Sequence, residues 1–243
     1  MKKGLTELVF ILDKSGSMGG LENDTIGGYN AMLKKQKKME GECLITTVLF
    51  DNNYELLHDR IDLRAVSFLT EDDYFVGGST ALLDAVGKTI YKIENAWKHT
   101  AEEYRAEKIM FVIITDGLEN ASREYTAKQV KKQVEQKKEE GWEFIFLGAN
   151  IDAVDAAEQV GICADRAVNY IADAKGTNLN FEMMSAVVGE FRQNRGVSDK
   201  YLNKIRSDAK KRSAENTIQK QTDFENKTRR KSLFRNAKKI RKA

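Results

Sequence analysis

Short apolar runs alternate along this chain with longer charged stretches of helical spacing, and two of the runs end in aspartate-bearing loops. Residues 8–12, 44–50, 109–114 and 144–147 are nearly uninterrupted apolar segments, too short for helices and rich in β-formers. Between them, Ile26, Tyr29 and Leu33 recur at spacings of three and four, as do Leu82, Val86 and Ile90, with Leu83 and Tyr91 alongside. A Lys/Glu-rich helix is expected over 126–140, stopping at Gly141. Another is expected near 153–160, and a last one carries Met184, Val187, Val188 and Phe191. Short strands are expected at 167–170 and, after the Asp51-Asn52-Asn53 turn signal, at 54–57. Strands alternating with helices imply a mainly parallel sheet covered on both faces. The expectation is a doubly wound α/β fold with six strands, the one at 54–57 being an antiparallel edge.

In such sheets, ligands bind beyond the carboxyl ends of the strands. Three loops fall on that side: Asp13-Lys14-Ser15-Gly16-Ser17, Gly77-Gly78-Ser79-Thr80 and Thr115-Asp116-Gly117. Together they offer two carboxylates, several hydroxyls and permissive glycines, without imidazole or thiolate. That hard-oxygen inventory suits Mg²⁺, Mn²⁺ or Ca²⁺ and argues against zinc. Two carboxylates brought together would also repel each other without a cation between them. Taken singly, each residue has an ordinary structural explanation. Asp13 and Asp116 could be helix caps or turn residues, and Thr80 could cap a helix beginning at Ala81.

At these residues the sequence resembles the von Willebrand factor type A (vWA) domain family. Its metal-ion-dependent adhesion site (MIDAS) combines a D-x-S-x-S loop, a threonine from a second loop and an aspartate from a third. Asp13, Ser15 and Ser17 match the first element, Thr80 the second and Asp116 the third, in the family's order. The resemblance spans roughly residues 5–193. It implies a Rossmann-like sheet and a divalent cation held by these five side chains, with one position open to an Asp or Glu of a partner protein. It further implies a non-enzymatic adaptor of an intracellular, microbial type, bacterial or phage-borne. Asp84, one turn beyond Thr80, is either a support for the site or a solvated side chain. Glu119 and Asn120 are candidates for its rim.

Charge divides the chain. Residues 196–243 hold 16 Lys/Arg against 5 Asp/Glu, whereas 1–195 hold 24 against 32. An acidic vWA domain over 1–195 thus precedes a basic, partly helical or disordered tail over 196–243. The tail is a solvated extension, a binder of nucleic acid or acidic protein, or a segment folded back on the body. Few aromatics interleave with its charge, which disfavours base stacking.

The two lysines and apolar run at the N-terminus imitate a signal peptide. Glu7 interrupts that run and Asp13 closes it, so it reads as a first strand. No segment approaches the length of a membrane span. Cys43 and Cys163 sit in apolar runs and are read as buried thiols, which places the chain in the cytoplasm. Catalytic alternatives fare poorly. Ser15-Gly16-Ser17-Met18-Gly19 lacks the first glycine of a nucleophile elbow, and only His58 and His99 are available as a base. An aspartate-nucleophile phosphatase would want a second aspartate at position 15, and no phosphate-binding P-loop is present. A metal-dependent hydrolase stays the remote alternative.

Overall fold

The computed structural model describes residues 1–193 and 195–216. Six strands form one sheet in the order β3-β2-β1-β4-β5-β6. They are β1 (Lys2–Asp13), β2 (Cys43–Phe50), β3 (Tyr54–Asp62), β4 (Ala106–Thr115), β5 (Glu143–Ala149) and β6 (Ala167–Tyr170). All neighbours pair parallel except β2 and β3, whose antiparallel register makes β3 the reversed edge. This is the expected doubly wound architecture.

The side-chain alternation of strands sorts the core into two layers. Leu8, Phe10 and Leu12 of β1 and Met110, Val112 and Ile114 of β4 face α1 (Glu22–Gln36) and α5 (Ala174–Arg192). Val9, Ile11, Phe111 and Ile113 face α2 (Leu82–His99), α3 (Ala127–Glu139) and α4 (Ala153–Gln159). Because β1 and β4 are covered on both faces, their runs are continuously apolar rather than alternating. α1 and α5 approach closely at Gly28, where a β-carbon would stand 2.3 Å from the Phe181 ring.

Residues 199–216 are helical and form a sixth α-helix, α6. Leu202 and Ile205 are fully buried in the α1/α5 layer. Arg206 donates to the carbonyls of Asp165 and Ala167, and Arg166 pairs with Asp199. Packing therefore continues past residue 195, because these sparse apolar residues have a ready-made core to join. The basic clusters at 229–231 and 238–242 lie outside the described residues. Among the described residues, no helix is long and apolar enough to cross a membrane.

One local expectation fails. Cys43 is buried, but Cys163 is exposed and its sulfur accepts from Lys138 Nζ at 2.9 Å. The apolar run there is anchored by Ile162, and the chain turns outward one residue later.

Candidate metal centre

β1 and β4 are neighbours, so their carboxyl ends bring Asp13 and Asp116 together. The loop after β1 then doubles back. Gly16 N donates to Gly78 O at 3.2 Å and Gly77 N to Lys14 O at 2.9 Å, fastening the first loop to the second. Gly78 meets this crossing with φ +71°, a conformation glycine adopts without strain. Across it, Asn120 Oδ1 accepts from Thr80 N at 2.9 Å while Asn120 N donates to Thr80 O at 3.0 Å. All three loops converge.

The five expected side chains form a connected oxygen array. Ser17 Oγ donates to Asp116 Oδ1 at 2.5 Å and lies 3.1 Å from Ser15 Oγ, which accepts from Thr80 Oγ1 at 3.0 Å. Asp13 completes it from below, accepting from Ser15 N at 2.7 Å and from Thr115 Oγ1 at 2.5 Å. Asp13, Ser15, Thr80 and Asp116 are all buried. Thr80 does not cap α2, whose first residue is Leu82 and whose N-cap is Ala81. Its hydroxyl is turned to the serines instead.

Burial and mutual charge disfavour the ionised forms of the two carboxyls. Burial pushes the Asp13 carboxyl above its ordinary range, hydrogen bonds from Thr115 and Ser15 pull it back, and the charge of Asp116 raises it. Burial likewise raises Asp116, against the Ser17 hydrogen bond. Asp116 Oδ2 is buried without a hydrogen-bond partner among the described residues. An oxygen in that state costs free energy unless a donor or cation meets it.

The residues present fit a divalent ion. Adjacent ligands of an octahedron with bonds of 2.0–2.1 Å stand about 2.9 Å apart, close to the hydroxyl spacings of 3.1 and 3.0 Å. Gly117 keeps the space beside them clear, since a β-carbon there would stand 2.6 Å from Thr80 Oγ1 and 3.1 Å from Ser17 Oγ. Among the described residues no group of three or more His, Cys, Asp or Glu converges. Any ion held here would depend on hydroxyl oxygens.

Several supporting residues escape a linear reading. Thr115 steadies Asp13, and the Tyr74 hydroxyl donates to the Asp13 carbonyl. Glu119 is less a rim than a brace, accepting from the backbone of Leu83, Ala121 and Ser122 and from the Ser122 hydroxyl. Asp84 is neither solvated nor turned to the oxygen array. Its carboxylate accepts from the backbone of Arg123, Glu124 and Tyr125. Lys14, inside the first loop, turns away to pair with Glu55 at 2.5 Å. Both ring nitrogens of His58 are engaged by Thr47 and Ser67, and His99 is exposed on α2. Neither forms a couple with Ser15 or Ser17.

Comparison with known proteins bears on the fold. The chain matches no protein-family model and no curated protein sequence. It is similar to solved structures. One is the vWF domain of the type V pili tip protein Mfa5 from Porphyromonas gingivalis, at 13% identity and TM-score 0.55, covering 80% of this chain and 98% of that one. Another is the pilus adhesin SpaC from Lactobacillus rhamnosus GG, at 10% identity and TM-score 0.58, covering 79% of this chain and 30% of that one. A third is proximal thread matrix protein 1 from the mussel byssus, at 14% identity and TM-score 0.52, covering 76% of this chain. The fold is the vWA fold. This chain spans 46% of the length of the mussel protein, whose MIDAS motif is zinc-occupied.

Proposed function

We propose that Asp13, Ser15, Ser17, Thr80 and Asp116 hold a divalent cation, Mg²⁺ or else Mn²⁺ or Ca²⁺, through which the protein grips an Asp or Glu of a protein partner. The observation that carries this reading is the oxygen array itself, spaced as adjacent ligands and ending in a buried carboxylate oxygen that has no hydrogen-bond partner among the described residues. When bound, the cation supplies a positive centre that a partner carboxylate can complete. Three of the five ligands are neutral hydroxyls, which leave much of that charge uncompensated. Asp13 and Asp116 anchor the site, Thr115 and Ser15 N orient Asp13, and Asn120 holds Thr80 in place.

In this reading the protein acts as a non-enzymatic adaptor. Relatives in fold named as a pilus adhesin, a pilus tip protein and a byssus matrix protein favour an interaction role over catalysis. A reducing cytoplasm of a bacterium, or of a phage-infected one, suits the unpaired Cys43 and Cys163. Capture from lysate of the native host tests the reading. A partner retained in Mg²⁺, released by chelator and missed by Asp13→Ala is the expected result; retention indifferent to chelator contradicts it.

A further inference from the structure

The first two turns of α2 form the floor of a groove of about 940 Å³ beside the Thr80 loop. Ala81, Asp84, Ala85 and Lys88 follow one stripe of the helix, with Asn52 and Asn53 on one wall and residues 120–124 on the other. Its near end borders the loop that carries Thr80: Ser79 precedes Thr80 in the chain, and Asn120 Oδ1 accepts from Thr80 N. From 81 to 88 the helix rises roughly 10 Å. That is about the span of three extended residues.

The charges lining this groove are unequally committed. Asp84 is consumed by three backbone amides, and Lys88 pairs with Glu124 at 2.7 Å. Arg123 is exposed, and among the described residues its guanidinium makes no hydrogen bond or ion pair; only its backbone N–H is engaged, by Asp84. An uncommitted guanidinium on an acidic body, beside a polar trough that borders a loop of the cation site, has the chemistry of a carboxylate receptor.

We propose that this groove receives the partner segment in extended form, with one acidic side chain on the cation and a second, about three residues away, on Arg123. The inference rests on the metal-gripping function above and adds the class of partner: a segment with two spaced acids. The Asn52 and Asn120 amide oxygens accept from Ser79 N and Thr80 N, which leaves their Nδ2 groups and the Ser79 hydroxyl to face the segment's backbone, and Ala81 and Ala85 leave room for it.

The test uses the full chain in saturating Mg²⁺ and capped peptides with the cores Asp-Ala-Ala-Glu and Asp-Ala-Ala-Gln, titrated by NMR. A peptide with acids at both ends serves either chain direction. The wild type should bind the two-acid peptide roughly three- to fivefold tighter, as expected for an exposed pair. Arg123→Gln should erase that preference, whereas Lys128→Gln, an equal charge loss on α3, should keep it. Equal binding of both peptides by the wild type, or a preference that survives Arg123→Gln, overturns the proposal. If both peptides bind in Mg²⁺ and dissociate in chelator without preference, the metal grip stands and only the groove assignment fails. If neither binds the Mg²⁺-loaded protein, the metal grip fails with it.

Discussion

A β-carbon at position 117 would stand within 2.6 Å of Thr80 Oγ1, so Gly117 guards the space that the hydroxyls enclose. Gly117→Ala should therefore leave the fold intact and weaken Mg²⁺ binding by roughly 10–100-fold, the range seen when the surroundings of metal ligands are disturbed. Calorimetric titration reads this directly, and an unchanged affinity would mean that the ion, if any, sits elsewhere. That Asp13, Ser15, Ser17, Thr80 and Asp116 would meet was legible in the sequence from alternate positions after a strand, from two strand ends and from the resemblance to the vWA motif, which supplied Thr80. Tyr74 was not, nor were the bonds through which Thr115 and Asn120 act, since each joins segments far apart in the chain. Cys163 shows the limit of reading apolar runs. Ile162 carries the burial, and its neighbour points the other way.

At the scale of elements, every strand and helix expected from periodicity is present, but several are longer than their apolar runs. β1 begins at Lys2, and β3 continues to Asp62 through largely half-buried residues. Edge and terminal segments need not be apolar, so hydropathy marks only the buried part of each strand. The N-terminus of α2 shows a different failure. Thr80 was a plausible local cap, yet Glu119, 36 residues from Leu83, supplies that acceptor from the far side of the site. Glu119→Ala should cost about 1–2 kcal/mol through the lost cap and the unpaired amides of the 118–122 loop. Urea denaturation should show the lower midpoint with an unchanged slope, and full stability would exclude Glu119 as the brace.

At the scale of the whole molecule, charge asymmetry drew a boundary at residue 195 that hydrophobic packing crosses. Composition counts charges but cannot see that Leu202 and Ile205 fill the α1/α5 layer. Leu202→Ala should therefore destabilise the chain by about 2–5 kcal/mol, as core truncations do. A loss under about 0.5 kcal/mol, typical of surface positions, would return 199–216 to a solvated extension. The larger claim is that a cation joins three loops separated by about a hundred residues, which makes it a ligand of the native state alone. Thermal unfolding in Mg²⁺ against chelator tests that claim most directly. At about 100 times its Kd the ion should add roughly 2.7 kcal/mol, or about 5–10 °C for a domain of this size. Asp13→Asn and Asp116→Asn should lose that increment without falling below the chelated wild type, because each relieves a buried like-charge pair. A wild-type transition that Mg²⁺, Mn²⁺ and Ca²⁺ all leave unmoved would contradict the account.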